Sequence, residues 1–277
     1  MIITVINQSR KIADKELHPV IRAINRQIRE DFEPYWSLGA TLRLEGKSTT
    51  VPDKLALPDM RGDAVLYLWD QVDVEGALGY HDMNARGIPF GFVFTELAKQ
   101  LGENWTVTLS HEALELIADP LVNLLVAGPH PTEHRTVFHW YEMSDAVQAE
   151  TYVCDGVEVS NFLLPLYFTP DAEVGSRNDF LGQAHGGKVL TSFGINPGGY
   201  IGFFDPKLGK HVTFANAGDA KAKKRLEVKK QQAAGRRSIR TEGPSGRPAT
   251  LAIETPAVRG AAVPAQARSG SDYEQID

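Results

Sequence analysis

The sequence predicts an α+β fold in which a helix lies on a mixed, twisted β-sheet. Three observations predict it: a short β-branched run at the start of the chain, an amphipathic stretch directly after it, and two further apolar runs of strand length. The composition is that of a globular protein, with 42% hydrophobic and 23% charged residues in a chain of 277. It excludes a collagen-like or wholly disordered chain, and the single cysteine, Cys154, excludes an internal disulfide.

The first elements are a strand and a helix. Residues 2–6 (IITVI) are typical of a buried strand. Apolar residues then recur at three- and four-residue intervals and predict a backing helix over about 14–32. This helix is predicted to begin either at Asp14 or anew at Pro19, because proline fits best in the first turn of a helix.

Further strands follow. Residues 40–44 and 64–69 read as strands, and the second, AVLYLW, is apolar throughout, which favours a central position in the sheet. ALGYHD and PFGFVFT then read as two extended pieces around the turn NARG, which predicts a hairpin or an edge strand beside a cleft. Residues 105–109 are a last short strand or the lead into a helix, and Ser110 is a good N-cap for a helix over 111–119.

That helix carries polar residues at positions that fit a metal site. His111 and Glu115 are four residues apart, so their side chains lie one turn apart on the same face and can meet at one cation. H-E-x-x-E differs from the H-E-x-x-H motif of zinc metallopeptidases by one residue, and the position of Glu112 is that of the general base in that motif. One imidazole with carboxylates suits zinc, and also manganese, iron or calcium. Asp119 lies about 12 Å along a straight helix from His111, so we expect it to cap the helix, to support a ligand, or to bind the ion after the helix bends at Pro120.

A third ligand is expected from the later segment WYEMSDAV. Glu142 and Asp145 stand there with E-x-x-D spacing among apolar and aromatic residues, and an unpaired buried carboxylate is costly. Tyr141 is next to Glu142, and we expect it to support the ligands together with Asp119. The predicted metal ligands are therefore His111, Glu115, Glu142 and Asp145.

The motif and its surroundings resemble a known pattern. HEALELIADPLVNLLVAG followed by YEMSDAV is similar to the H-E-x-x-E-x-x-x-(Asp/Asn)-Pro-x-x-Asn … Ala-Gly … E-x-x-D pattern of plant phosphate-induced, or exordium-like, proteins and of a set of uncharacterised bacterial and phage proteins. The matching positions are His111, Glu112, Glu115, Asp119, Pro120, Asn123, Ala127, Gly128, Glu142 and Asp145. DGVEVSNFLLPLYF, SRNDFLG and NPGGYIGFF resemble further landmarks of the bacterial set, and the resemblance covers roughly 1–214. It implies a zincin-like fold, with an edge strand over the cleft and an active-site helix at 111–119.

Together these features predict a metal-dependent hydrolase, a metallopeptidase with a peptide or protein substrate. A divalent ion, with zinc as the first choice and calcium or another ion as alternatives, would activate a water molecule, and Glu112 would be the general base. An extended substrate would pair with the edge strand at 79–82, which makes Tyr80 and His81 candidate substrate-binding residues. The alternative hypothesis is a non-catalytic zincin-like module in which a calcium or zinc ion stabilises the fold.

Other residues remain open candidates. One of three histidines before Glu142 is a candidate to replace a carboxylate as metal ligand. His185 is a further candidate site residue. These three histidines are His130, His134 and His139. Cys154 has no C-x-x-C partner, which favours a buried thiol over a reactive one.

The tail differs from the body in charge and composition. Residues 221–277 contain 12 Lys or Arg and 6 Asp or Glu, whereas the rest of the chain contains 17 and 29. From residue 235 onward Gly, Pro, Ser, Ala and Arg dominate, and such a segment cannot bury enough apolar area to offset its conformational entropy. We therefore predict a zincin-like metal-binding domain at 1–218 and a disordered basic tail at 219–277. Weak binding of nucleic acid through this tail is a third hypothesis.

The chain shows no targeting signal. The apolar run before Arg10 is too short for a signal-peptide core, and no later apolar run is long enough to span a bilayer. The expectation is a cytoplasmic protein without a membrane partner, with non-classical export or association with a virion left open.

Overall fold

The computed structural model describes residues 1–45, 62–70, 78–84, 86–170, 176–218 and 223, and the backbone of Glu274–Ile276. In these residues the protein is mixed α and β, which confirms the predicted α+β class. The strands form a five-stranded mixed sheet, a five-stranded antiparallel sheet and a two-stranded hairpin. None of the described helices is long and apolar enough to cross a membrane.

The first sheet contains the strands that the sequence predicted. They are β1 (Ile2–Asn7), β2 (Thr41–Leu44), β3 (Ala64–Trp69), β4 (Gly79–Met83) and β5 (Pro89–Phe94). Their order is β2-β1-β3-β5-β4, with β4 antiparallel to β5 and the other neighbours parallel. The fully apolar β3 is the central strand, as predicted. Its apolar residues lie on both faces, and both faces are covered.

The two faces of this sheet differ in character. One face packs against the helices through aliphatic residues such as Val5, Leu66 and Val93. The opposite face is aromatic, and its rings belong to Tyr67, Tyr80, Phe90, Phe92 and Phe94. Side chains alternate between faces along each strand, so neighbours in the sequence belong to different clusters.

The first helix, α1 (Asp14–Arg26), begins at the first of the two predicted positions. The Ala13 backbone N–H donates to Glu16 Oε1 at 2.9 Å and caps its first turn. Pro19 therefore lies inside the helix, and the alternative start at this residue is wrong. The chain continues through a π-helical segment, Gln27–Phe32, into a short helix, α2 (Glu33–Trp36). The predicted backing element over 14–32 is thus present, although only its first part is α-helical.

The remaining helices are α3 (Thr95–Gln100) and α4 (Trp105–Ala118). The helix α4 begins well before the predicted start, at the N-cap Asn104, whose Oδ1 accepts the Thr106 N–H at 3.2 Å. It is apolar on nearly all sides and buried between the first sheet and the following segment. Ser110 is inside this helix rather than at its cap.

The second sheet holds the segment that carries Glu142 and Asp145 against the end of α4. Its strands are β6 (Leu125–Pro129), β7 (Thr136–Trp140), β10 (Tyr200–Asp205), β11 (Lys210–Ala215) and β12 (Glu274–Ile276), in the order β12-β11-β10-β7-β6. A hairpin of β8 (Thr151–Cys154) and β9 (Val157–Ser160) packs beside α1 and α4. One apolar cluster runs through both sheets and includes Ile3, Leu109, Phe162 and Phe203.

The strand β12 comes from the segment that the sequence assigned to a disordered tail. It pairs antiparallel with β11, with Gln275 opposite Phe214. Aside from this strand and Lys223, the predicted tail at 219–277 lies outside the described residues.

Candidate metal centre

The helix α4 presents His111, Glu112 and Glu115 from its middle turns. Ser110 fixes the helix from the side, because its Oγ donates to Gln27 Oε1 at 2.8 Å and accepts the Ser160 N–H at 3.1 Å. Ser110 and both of these partners are buried. The π-helical segment and β9 therefore hold the turn from which the polar residues project.

Three of the predicted ligands, His111, Glu115 and Asp145, have ligand atoms close to one another. His111 Nε2 lies 3.2 Å from Glu115 Oε1 and 3.3 Å from Asp145 Oδ1. Two atoms that bind one zinc ion at about 2.1 Å with tetrahedral angles are about 3.4 Å apart, so this spacing suits a shared cation. The backbone N–H of Ser144 also donates to Glu115 Oε1 at 3.2 Å and ties the E-x-x-D segment to α4.

A second group of ligand atoms involves the edge strand β4. One atom from each of His81, Glu115 and Glu142 lies within 4.8 Å of the others. His81 Nε2 is 3.7 Å from Glu142 Oε2, and His81 Nδ1 is 3.6 Å from Glu115 Oε2. The sequence suggested His81 as a substrate-binding residue, whereas its ring lies among the carboxylates. The signal in the sequence was a lone histidine within a short predicted strand.

Glu112 lies at the border of this cluster. Its Oε2 is 3.3 Å from His81 Nδ1, and its side chain is 2% exposed. Its Oε1 is so close to Gly79 that a Cβ there would approach it to 2.7 Å. The close packing of β4 on α4 therefore depends on a glycine at position 79.

The carboxylates and imidazoles of the cluster shift one another's pKa values. Burial lowers the pKa of His81, but the hydrogen bond with Glu112 and the charges of Glu142 and Glu115 outweigh it and raise this pKa to about 9. For His111, burial is likewise outweighed by Glu115 and Asp145, and the pKa rises to about 10. Burial is the main cause that raises the pKa of Glu115 to about 7. In the absence of a cation, the histidines therefore supply the positive charge of the cluster at neutral pH.

Asp119 and Tyr141 lie around the cluster. The Asp119 carboxylate accepts the backbone N–H of Asn123 at 3.2 Å and of Leu124 at 2.9 Å, so it organises the loop after α4. Burial raises the pKa of Asp119, and these two hydrogen bonds oppose the shift. Tyr141 packs on Phe168, and burial together with the charge of Asp119 raises its pKa.

The structure does not bring Tyr80 to the cluster. Tyr80 stacks on Phe92 at a centroid distance of 5.4 Å, on the face of the sheet opposite α4. Its neighbour His81 faces α4 because successive residues of a strand point to opposite faces.

The other histidines also lie elsewhere. His130 Nδ1 accepts the N–H groups of Thr132 and Glu133, and His139 Nε2 is 2.9 Å from the Pro129 carbonyl oxygen. His134 is exposed. His185 Nε2 pairs with Glu150 Oε1 at 2.6 Å in a separate hydrogen-bonded network. Cys154 is buried, and burial raises the pKa of its thiol.

A small cavity of about 10 Å³, room for about one water molecule, adjoins the cluster. Glu142 and Asp145 form its polar edge. Its apolar wall includes Leu163, Tyr167, Phe168 and Ile201. The segments SNFLLPLYF and GYIGFF therefore contribute both to the core and to a pocket wall.

Comparisons with protein-family models, with curated proteins and with solved structures find no match to this chain.

Proposed function

We propose that this protein is a divalent-cation-dependent hydrolase that cleaves peptide or amide bonds. The observation that carries the proposal is the convergence of His111 and Glu115 with Asp145 and Glu142, which come from a distant loop. The ligand atoms of His111, Glu115 and Asp145 form one group, and those of Glu115 and Glu142 form a second group with His81, both next to a small cavity. The order of elements around them, with a backing helix, an antiparallel edge strand and the helix of the H-E-x-x-E motif, agrees with a zincin-like framework.

The chemistry of the side chains fits a metal ion. His81 Nε2 is buried and has no hydrogen-bond partner among the described residues, although it faces the Glu142 carboxylate. An imidazole nitrogen with this environment is costly unless a cation or a water molecule occupies the space. An imidazole in each group of ligand atoms also favours zinc, iron or manganese over calcium, which prefers oxygen ligands throughout.

Each residue has a role in the proposed reaction. A bound divalent cation would lower the pKa of a water molecule and polarise the substrate carbonyl. Glu112 would accept the proton of that water and deliver it to the leaving nitrogen. The strand β4 is the outer strand of its sheet among the described residues, and an extended peptide would pair along it.

Glu112→Gln tests the proposal. The purified protein and the variant would be incubated with a library of natural peptides, and their metal contents would be measured by elemental analysis. We expect the variant to keep its metal and to lose cleavage by at least about 100-fold, the lower range for loss of a general base. Equal cleavage by both proteins, or absence of any tightly bound divalent ion, would refute the proposal.

A non-catalytic module with a structural ion is the second candidate, and the excess of carboxylates favours it. The two candidate functions predict different effects of a chelator on stability and on peptide cleavage. A structural ion predicts that a chelator lowers the melting temperature of a protein that cleaves no peptide at any metal concentration. Cleavage that returns when zinc or manganese is added back would exclude this candidate.

A further inference from the structure

The two carboxylate oxygens of Glu115 face different histidines. Its Oε1 lies 3.2 Å from His111 Nε2, and its Oε2 lies 3.6 Å from His81 Nδ1. Glu115 is 3% exposed, so both oxygens are directed into the protein rather than into solvent. This residue therefore belongs to two separate groups of ligand atoms.

Each group has the composition of a complete metal site. The first group is His111, Glu115 and Asp145, and the second is His81, Glu115 and Glu142. Each supplies one imidazole and two carboxylates. Three protein ligands with one open position are the usual arrangement of a catalytic ion.

The net charge of the cluster also exceeds what one cation balances. Four buried carboxylates surround the two histidines, and they belong to Glu112, Glu115, Glu142 and Asp145. With neutral imidazoles, one divalent cation leaves two negative charges buried, whereas two divalent cations leave none. Buried charge without compensation is strongly unfavourable, so the second arrangement is the more stable one.

The surroundings of His81 provide an independent observation. Its ring is nine-tenths buried, and Nε2 makes no hydrogen bond in the described part of the chain while it faces Glu142. On the other side of the ring, Nδ1 is 3.3 Å from Glu112 Oε2, which is nearer than the 3.6 Å to Glu115 Oε2. Metal-binding histidines usually have a carboxylate on the nitrogen that does not bind the ion. His81 thus has the environment of a ligand in its own right.

We propose that the site binds two divalent cations, with Glu115 as the carboxylate that bridges them. The ligands of one ion are His111 and Asp145, those of the other are His81 and Glu142, and Glu115 contributes one oxygen to each. The inference rests on the proposed function in that both require cations at this cluster. It goes beyond that function because a single-ion hydrolase needs neither the bridge nor His81.

The number of bound ions tests the inference without any assay of activity. Full-length protein would be stripped with a chelator and dialysed to equilibrium against Mn²⁺, and bound manganese would be counted per chain. The variants are His81→Gln and His111→Gln, and His134→Gln is a matched control because this histidine is exposed and outside the cluster. Circular dichroism would verify that each variant is folded.

We expect two Mn²⁺ ions per chain in the native protein and in His134→Gln, and one in each of the other two variants. Two-metal sites hold their ions about 3.5–4 Å apart, so the loaded native protein should also give the electron paramagnetic resonance spectrum of a spin-coupled pair. One ion per chain in the native protein would overturn the inference and leave the proposed function intact. No bound ion would overturn both, and two ions without any peptide cleavage would overturn only the hydrolase. The count in the native protein decides the question even if a variant does not fold.

Discussion

Gly79→Ala is expected to destabilise the fold and to weaken cation binding at the same time. A Cβ at this position would lie 2.7 Å from Glu112 Oε1, 2.8 Å from the Phe92 carbonyl oxygen and 2.8 Å from the Thr108 methyl group. Ordinary contacts begin at 3.4 Å, so β4 or α4 must move by roughly half an ångström or more. The Phe92 oxygen belongs to the backbone of the paired strand and cannot rotate away.

The size of the effect follows from this overlap. Overpacking in a well-packed core costs about 1–3 kcal/mol, and 1 kcal/mol lowers the melting temperature of a domain of 150–250 residues by about 2–4 °C. We therefore expect a melting temperature about 2–12 °C lower than that of the native protein. Glu112 must also withdraw from its place beside His81, so the affinity for Mn²⁺ should fall.

Thermal unfolding followed by circular dichroism, and titration with Mn²⁺, measure the two effects. Gly39→Ala is the matched control, because a Cβ there would meet only the carboxylate end of Glu33, at 3.0–3.4 Å, and this flexible side chain can move. If Gly79→Ala has the native melting temperature and the native Mn²⁺ affinity, the close contact between β4 and α4 does not support the site.

The other two predictions concern protons and the support of α4. The pKa values of His81 and His111, about 9 and about 10, mean that both rings are protonated at neutral pH without a cation. Because metal ligands must be neutral imidazoles, cation binding should release close to one proton per histidine, and between pH 7 and 8 the Kd should fall about tenfold for each. Calorimetry in buffers of different ionisation enthalpy measures this release, and a value near zero would contradict the assignment of the ligands. Ser110→Ala should lower the free energy of unfolding by about 1–3 kcal/mol, because it leaves buried polar atoms of Gln27 and Ser160 unsatisfied. An unchanged midpoint in urea unfolding would contradict that role.

The sequence predicted the elements that have strong local patterns. The strands β1 and β3 are continuous apolar runs, the helix α1 has a clear hydrophobic period, and the hairpin of β4 and β5 has a turn signal between two apolar runs. The start of α4 was left open between a short strand and the lead into the helix, because Thr106, Val107 and Thr108 are β-branched and favour a strand. The N-cap at Asn104 and the burial of α4 on nearly all sides outweigh this local preference for a strand.

The site was predictable only in part. His111, Glu112 and Glu115 share one helix, so their spacing alone indicated a cation. The approach of Glu142 and Asp145 depends on the pairing of β7 with β10, which joins segments far apart in the chain and leaves no local pattern. The position of His81 depends on the same kind of long-range contact, in this case the packing of β4 on α4.

The pairing of β12 with β11 has a practical consequence for handling the protein. The last described strand pairs with β11, and in the sequence a stretch rich in Gly, Pro and Ala stands between the two strands. A chain shortened before Glu274 would expose the outer edge of β11, and an uncovered edge readily recruits strands from other molecules. Loss of these few residues should therefore cause self-association and leave the cluster of His and acidic residues unchanged, since that cluster lies toward the opposite end of the sheet order, beside β7.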